Sequence, residues 1–193
     1  YVLSGTGNLP QSEKAECKAI NWYGKTKAGG DRAIIESGCD ALILRTSWVY
    51  SHHHVNFLTK IFQFARELER LSVVDDQFGT PTQARWLAQK SIELLDVKKD
   101  KGPLLINVVP NGYTSWWGFA CLIVKEMEKR SIPMRCKVVI PCSSMKEKNS
   151  LNRPKNSKLE NKLLSKNLAA SVEDWQVLAL ETMVKITQAK ASK

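Results

Sequence analysis

The sequence has no CxxC pair and no cysteine placed beside a histidine at zinc-ligand spacing. Its five cysteines, Cys17, Cys39, Cys121, Cys136 and Cys142, are odd in number and scattered. That argues against a disulfide framework or a structural zinc and suggests reduced thiols, as in the cytoplasm or an organelle matrix. No apolar run approaches the ~18 residues a membrane span needs. Candidates such as Ala41 to Leu44 and Leu104 to Val109 are strand-sized. There is no charged stretch followed by an apolar core at the start, no internal repeat and no low-complexity block, so a secretory leader, a solenoid and a disordered tail are not visible. Acidic residues are in short supply, 19 against 29 Lys and Arg, for a formal charge of +10. The surplus leans towards the end, with 10 basic and 5 acidic residues over 141–193. It favours anionic partners in general, but aromatic and basic residues are not interleaved as a nucleic-acid platform requires.

What is present is a chain of 193 residues, 43% hydrophobic, enough for one domain or a domain with a small lobe. Residues 21–36 suit a helix stopped by Gly38, and Ala41 to Leu44 a buried strand that runs into Arg45-Thr46-Ser47. Phe57, Ile61, Phe64, Ala65 and Leu68 recur at helical spacing, followed by a strand at 71–74. A helix is predicted from Pro81 or Thr82 to Leu95, with Trp86, Leu87, Ile92 and Leu95 as its apolar set. A strand follows at 104–109, then a helix capped by Thr114-Ser115, a strand at 137–140, a polar loop at 141–157 and two closing helices at 158–165 and 172–186. Tyr1-Val2-Leu3 reads as a buried strand tip, as though the chain begins inside a domain. Strands alternating with helices predict an α/β fold with a mainly parallel sheet, whose ligand belongs at the carboxyl ends of the strands. Those ends are Arg45 to Trp48, Asp75 to Pro81 and Pro110 to Gly112.

Tyr23 and Lys27 lie four apart, on one face of the first helix. An ammonium beside a phenol favours the phenolate, so such a pair can hand a proton to a carbonyl oxygen. Spacing alone reads as a helix-surface pair.

The surrounding strings narrow the reading. Asn21-Trp22-Tyr23-Gly24-Lys25-Thr26-Lys27-Ala28-Gly29-Gly30 resembles the NxYGxTKxxGE signature of extended short-chain dehydrogenase/reductases. Tyr1 to Thr6 is similar to YVFDGT, Leu44 to Tyr50 to LRTSWVY, and Asn56-Phe57 to the NF that follows. Leu71 to Thr82 resembles LSVVDDQxGxPT, Thr114 to Ala120 resembles TSWxxFA, and Arg153 to Leu159 resembles RPxNSxL. On these strings the chain is identified as a member of the dTDP-4-dehydrorhamnose reductases, over almost its whole length. Ala19-Ile20 stand where the family has proline, Gly30-Asp31 where it has its usual acid, and His52-His53-His54 fall in the sugar-side segment.

The resemblance implies the C-terminal part of a Rossmann-like parallel sheet with a small α/β substrate-binding lobe. Residues 1–50 would end the cofactor domain, and 51–193 would form the lobe, interleaved with the last Rossmann strand and helices. It implies NADPH, or NADH, and reduction of dTDP-4-dehydro-6-deoxy-L-mannose to dTDP-L-rhamnose. Tyr23 would be the general acid and Lys27 its electrostatic partner and ribose anchor. The family's Ser/Thr and its glycine-rich phosphate loop lie upstream of the first residue given, so a missing N-terminal segment or a partner chain would have to supply them, and the fragment alone is expected to be inactive. A homodimer is compatible with the family.

Thr46 and Ser47 are expected beside the cofactor or satisfying local backbone, and Trp48 against the sugar or inside a core. Asn56 and Gln77 are placed on the substrate side, with a tight turn as the competing explanation for Gln77. Arg153 and Asn156 suit a diphosphate or nucleotide, with a solvated loop as the competing reading. No metal site is expected, since three consecutive histidines rarely converge on one ion, and Trp116 and Trp117 are read as packing residues. The rival function is a non-catalytic subunit that keeps the reductase fold for regulation or assembly, like the beta subunit of methionine adenosyltransferase.

Overall fold

The computed structural model describes residues 1–144 and 152–191. Its elements alternate in chain order: α1 (Trp22–Ser37), β1 (Leu42–Arg45), β2 (Val49–Tyr50), α2 (Phe57–Glu67), β3 (Arg70–Val74), β4 (Phe78–Gly79), β5 (Thr82–Gln83) and α3 (Ala84–Val97). There follow β6 (Leu104–Asn107), β7 (Thr114–Ser115), α4 (Trp116–Lys129), β8 (Val138–Cys142), β9 (Asn156–Ser157), α5 (Lys162–Leu168) and α6 (Trp175–Ala191).

The expected single sheet is divided. β1 pairs with β6, β2 with β5 and β3 with β8, all parallel, and β4 lies between antiparallel β7 and parallel β9. In the first pair Leu42 faces Leu104 and Arg45 faces Asn107, so one polar residue from each strand ends the ladder on the same side.

Local chemistry sets the helix ends. Asn56 caps α2 reciprocally: its side chain accepts from the Thr59 amide at 3.3 Å, while the Asn56 amide donates to Thr59 Oγ1 at 2.9 Å. Ser115 caps α4 by accepting from the Gly118 amide at 3.0 Å. Gly38 ends α1 at φ 64°, the left-handed conformation that glycine takes freely.

Two buried clusters follow from the helical periodicities. Leu58, Ile61, Phe62 and Ala65 of α2 meet Phe119, Ala120, Ile123 and Met127 of α4, and Trp175, Ala179, Met183 and Ile186 of α6 close over them. Trp86, Leu94, Ile106, Val108, Leu164, Val172 and Leu178 form the second cluster. Each fully buried Leu or Phe in such a core contributes ~1.5–3 kcal/mol.

Five sequence expectations change. Thr82 and Gln83 are extended rather than helical: the Thr82 amide donates to the Trp48 carbonyl, and Gln83 Nε2 donates to the Leu178 carbonyl and Thr182 Oγ1, so α3 begins at Ala84. The buried stripe of α3 is Trp86, Lys90 and Leu94, while Ile92 and Leu95 face outward, because Trp86 Nε1 and the Lys90 ammonium both turn to Glu173. The closing helices start late, since 158–160 run extended against Gln11, whose amide donates to the Lys158 carbonyl and whose carbonyl accepts from Glu160. Val2 and Leu3 are buried but form no strand. The polar loop expected at 141–157 holds β9 and the end of β8, and its residues 145–151 lie outside the described residues.

Candidate active site

Residues 1–3, the face of α1, the end of β1 and the segment 153–159 enclose a cleft of about 680 Å³. Tyr23, Lys27 and Asp31 all line it. They are spaced by four, so they form one stripe along α1.

The start of α1 is built around Gly24. A Cβ there would stand 2.1 Å from the Tyr1 carbonyl oxygen and 2.9 Å from the Ala19 Cβ, so only glycine lets the first turn approach this closely. Asn21 caps the helix by accepting from the Gly24 amide at 2.8 Å, and its Nδ2 donates to the Asn152 carbonyl at 2.8 Å. One asparagine therefore ties the helix to the polar segment across the cleft. Tyr23 keeps 60% of its surface exposed and meets the Tyr1 ring edge to face, centroids 5.9 Å apart. The Lys27 ammonium lies 5.8 Å from the centre of the Tyr23 ring. Burial pushes the Tyr1 hydroxyl above the usual phenol range, against the opposing charge of Arg153.

At the end of β1, Arg45 is almost fully buried. Its Nε donates to Asp31 Oδ2 at 2.9 Å and its Nη2 to Cys17 Sγ at 3.1 Å, while Nη1 is buried without a protein partner. Thr46 lines the cleft, and its hydroxyl is likewise buried and unpartnered. Ser47 also borders the cleft, but its hydroxyl is engaged with Thr80, donating to the carbonyl at 2.9 Å and accepting from the amide at 3.3 Å. Of the two hydroxyls, only that of Thr46 is without a protein partner.

Trp48 takes φ 47°, a left-handed conformation unusual for a bulky side chain. Its indole stacks on Trp116 at a centroid distance of 3.5 Å and an interplanar angle of 11°, and both rings line the cleft. Trp116 was expected to serve packing alone; it also carries the wall. Trp117 does pack, its Nε1 donating to the Val139 carbonyl at 3.0 Å.

On the opposite wall are Arg153, Pro154, Asn156 and Ser157. Asn156 is buried, with Nδ2 donating to the Leu9 carbonyl at 2.8 Å and Oδ1 accepting from the Lys158 amide at 3.1 Å. Arg153 is exposed.

Two sequence candidates sit elsewhere. Gln77 is buried in the turn after β3 and does not line the cleft. Asn56 is spent on the α2 cap and on the carbonyls of Ser51, His53 and His54. Among the described residues no group of three or more His, Cys, Asp or Glu is placed to hold a metal ion, and no helix is long and apolar enough to cross a membrane. Sequence reasoning put Arg45 at a ligand-side strand end and noted Asp31 as a departure, but gave neither a site role and missed their pairing. The available signal was an acid four residues beyond Lys27 together with a cation closing an apolar strand.

The cleft thus offers a phenol and an ammonium on one side, two unpartnered buried donors at its floor, stacked indoles, and a basic segment opposite. Comparison with known proteins gives the family. Residues 1–189 match the family model described as the RmlD substrate binding domain. The chain is 35% identical over 179 residues to dTDP-4-dehydrorhamnose reductase of Escherichia coli K12, covering 92% of this chain and 60% of that one. Among solved structures, dTDP-4-dehydrorhamnose reductase of Bacillus anthracis in complex with NADP superposes with a TM-score of 0.83 at 26% identity, covering 96% of this chain and 62% of that one. The enzyme from Clostridium acetobutylicum gives 0.82 at 27% identity, covering 97% and 63%. The chain therefore spans about 60% of the length of the relatives it matches. With a Rossmann-like α/β fold, a family model matching nearly end to end and a cleft arranged around Tyr23 and Lys27, the chain belongs to the dTDP-4-dehydrorhamnose reductase family.

Proposed function

We propose that these residues form the substrate side and the proton-donating half of a reductase that converts dTDP-4-dehydro-6-deoxy-L-mannose to dTDP-L-rhamnose. The observation that carries the reading is the shared exposure of Tyr23 and Lys27 to one cleft large enough for a sugar.

When bound, a nicotinamide cofactor supplies the hydride. NADP is the cofactor named with the Bacillus anthracis relative, and NADPH is accordingly the donor we propose. The chain's own residues do the rest. The Tyr23 hydroxyl gives its proton to the carbonyl oxygen as that oxygen gains charge, and the Lys27 cation steadies the phenolate left behind. Lys27 would also hold ribose hydroxyls of the cofactor. The unpartnered Thr46 hydroxyl and Arg45 Nη1 are donors available to a polar ligand at the floor, and the fit to a bound nucleotide rests on them. Trp48 and Trp116 present an apolar wall to the sugar ring. Arg153 supplies a guanidinium for the diphosphate, and Asn156 shapes the segment that carries it.

Residues 1–50 are then the end of a cofactor domain and 51–193 the lobe around it. The outward face of α1, where Trp22 is 80% exposed, and the free edge of β1 suit the part of the relatives that this chain does not span.

The test is oxidation of NADPH with the dTDP-4-keto-6-deoxyhexose, measured on residues 1–193 alone and on the same residues preceded by the cofactor-binding part of a relative. Turnover is expected only in the second. There Tyr23→Phe should lower kcat by about 10²–10⁴-fold, the usual worth of a positioned acid. Equal rates would remove Tyr23 from the chemistry, and no rate in either parent would favour a non-catalytic subunit.

A further inference from the structure

Asp76 lies in the turn between β3 and β4, where two separated stretches of chain meet on one carboxylate. Its Oδ1 accepts from the Ser144 amide at 3.0 Å, and its Oδ2 from the hydroxyls of Ser143 at 3.1 Å and Ser144 at 3.0 Å. The Lys155 ammonium stands 3.7 Å from Oδ2. Ser143 and Ser144 leave β8, whereas Lys155 leads into β9 and sits between Pro154 and Asn156, both on the cleft wall. Backbone bonds run alongside: the Asp75 amide donates to the Cys142 carbonyl at 2.9 Å, and the Phe78 amide to the Lys155 carbonyl at 2.7 Å.

Those backbone bonds are few, because β4 and β9 are each two residues long. A ladder of that size does not by itself fix a strand. The carboxylate adds to that ladder: its charged hydrogen bonds, about twice as strong as neutral ones, hold Ser143 and Ser144, and its ion pair reaches the segment through Lys155. Burial raises the Asp76 carboxyl, but the Ser144 amide and hydroxyl, the Ser143 hydroxyl and the Lys155 charge outweigh it and hold the group below the usual carboxylate range. The neighbouring Asp75 is turned the other way, accepting from Ser115 Oγ at the cap of α4.

We infer that Asp76 is a positioning residue: by holding both Ser143-Ser144 and Lys155, it fixes the Arg153–Asn156 segment at the cleft and thereby sets the affinity for the nucleotide diphosphate. The link to the nucleotide rests on the function proposed above; the mechanical link to the segment does not.

The experiment compares the chain with Asp76→Asn and, as a milder change, Ser144→Ala, which removes one hydroxyl and leaves the charge. Amide hydrogen exchange is followed in 152–158 and in α1, and the dissociation constant for dTDP is measured by calorimetry. Exchange of the Asn156 and Lys158 amides should quicken about tenfold in Asp76→Asn and less in Ser144→Ala, with α1 unchanged. Affinity for dTDP should fall by about tenfold. Unchanged exchange at 152–158 overturns the inference, as does quickened exchange with undiminished affinity in a chain that binds dTDP. If the unaltered chain does not bind dTDP, the functional reading of the cleft falls, and the exchange data alone decide the positioning role.

Discussion

Trp48 holds a backbone angle that costs about 1–3 kcal/mol for a side chain of its size, and the surroundings keep it there. Trp116 lies against one face, and Gly79 leaves room at the other, since a Cβ on residue 79 would come 2.6 Å from the indole. Gly79→Ala should therefore push the indole off its partner and lower stability by roughly 1–3 kcal/mol, as overpacking does, with a matching change in near-ultraviolet circular dichroism. The glycine was legible as part of a turn, and the tryptophan as a residue at a strand end. Their mutual fit was not, because it depends on a ring from α4 that the sequence separates from both. Asp76 gives a second prediction at this scale. Its pKa is depressed below the ordinary 3.8, so its stabilisation is complete above that value and disappears as pH falls through the folded-state pKa. The stability gap between the chain and Asp76→Asn, measured by urea unfolding, should be largest near neutral pH and close under strongly acidic conditions.

At the scale of elements, α1 is the least enclosed helix: among its residues only Gly24 is buried. An ion pair between Asp31 and Arg45, whose side chains are 17% and 8% exposed, ties it to the end of β1. Removing one partner of a buried pair leaves an uncompensated charge, so Asp31→Ala should cost about 3–5 kcal/mol and loosen the helix that carries Tyr23 and Lys27. Hydrogen exchange along 22–37 would register it; unchanged protection there would refute it. Periodicity placed α1, β1, α2 and α4 within a residue or two, because each buries a regular stripe or carries its own cap. It failed where tertiary partners override local preference. Thr82 and Gln83 look like a helical start after proline, yet Trp48 and α6 hold them extended.

Across the whole molecule, α6 joins the two cores. Trp175, Ala179, Met183 and Ile186 enter the first, and Leu178 enters the second. Gln83 fastens the same helix to β5. The cores should accordingly unfold together: Met183→Ala and Leu178→Ala should each cost about 2–5 kcal/mol and shift one shared transition. Separate transitions for the two variants would show that the cores are independent. Fold class was readable in the alternation of apolar runs, whereas this coupling was not, since the last helix carries apolar residues on more than one face. The floor of the cleft was hidden for a related reason. Arg45 and Asp31 stand fourteen positions apart, and only the crossing of α1 over β1 brings them together.

The parallel indoles of Trp48 and Trp116 have an optical consequence. Rings this close share their excited states, so the pair should absorb and emit as a dimer rather than as two chromophores. If, as proposed, a sugar binds against that wall, it would perturb the joint signal, giving an intrinsic, label-free gauge of occupancy.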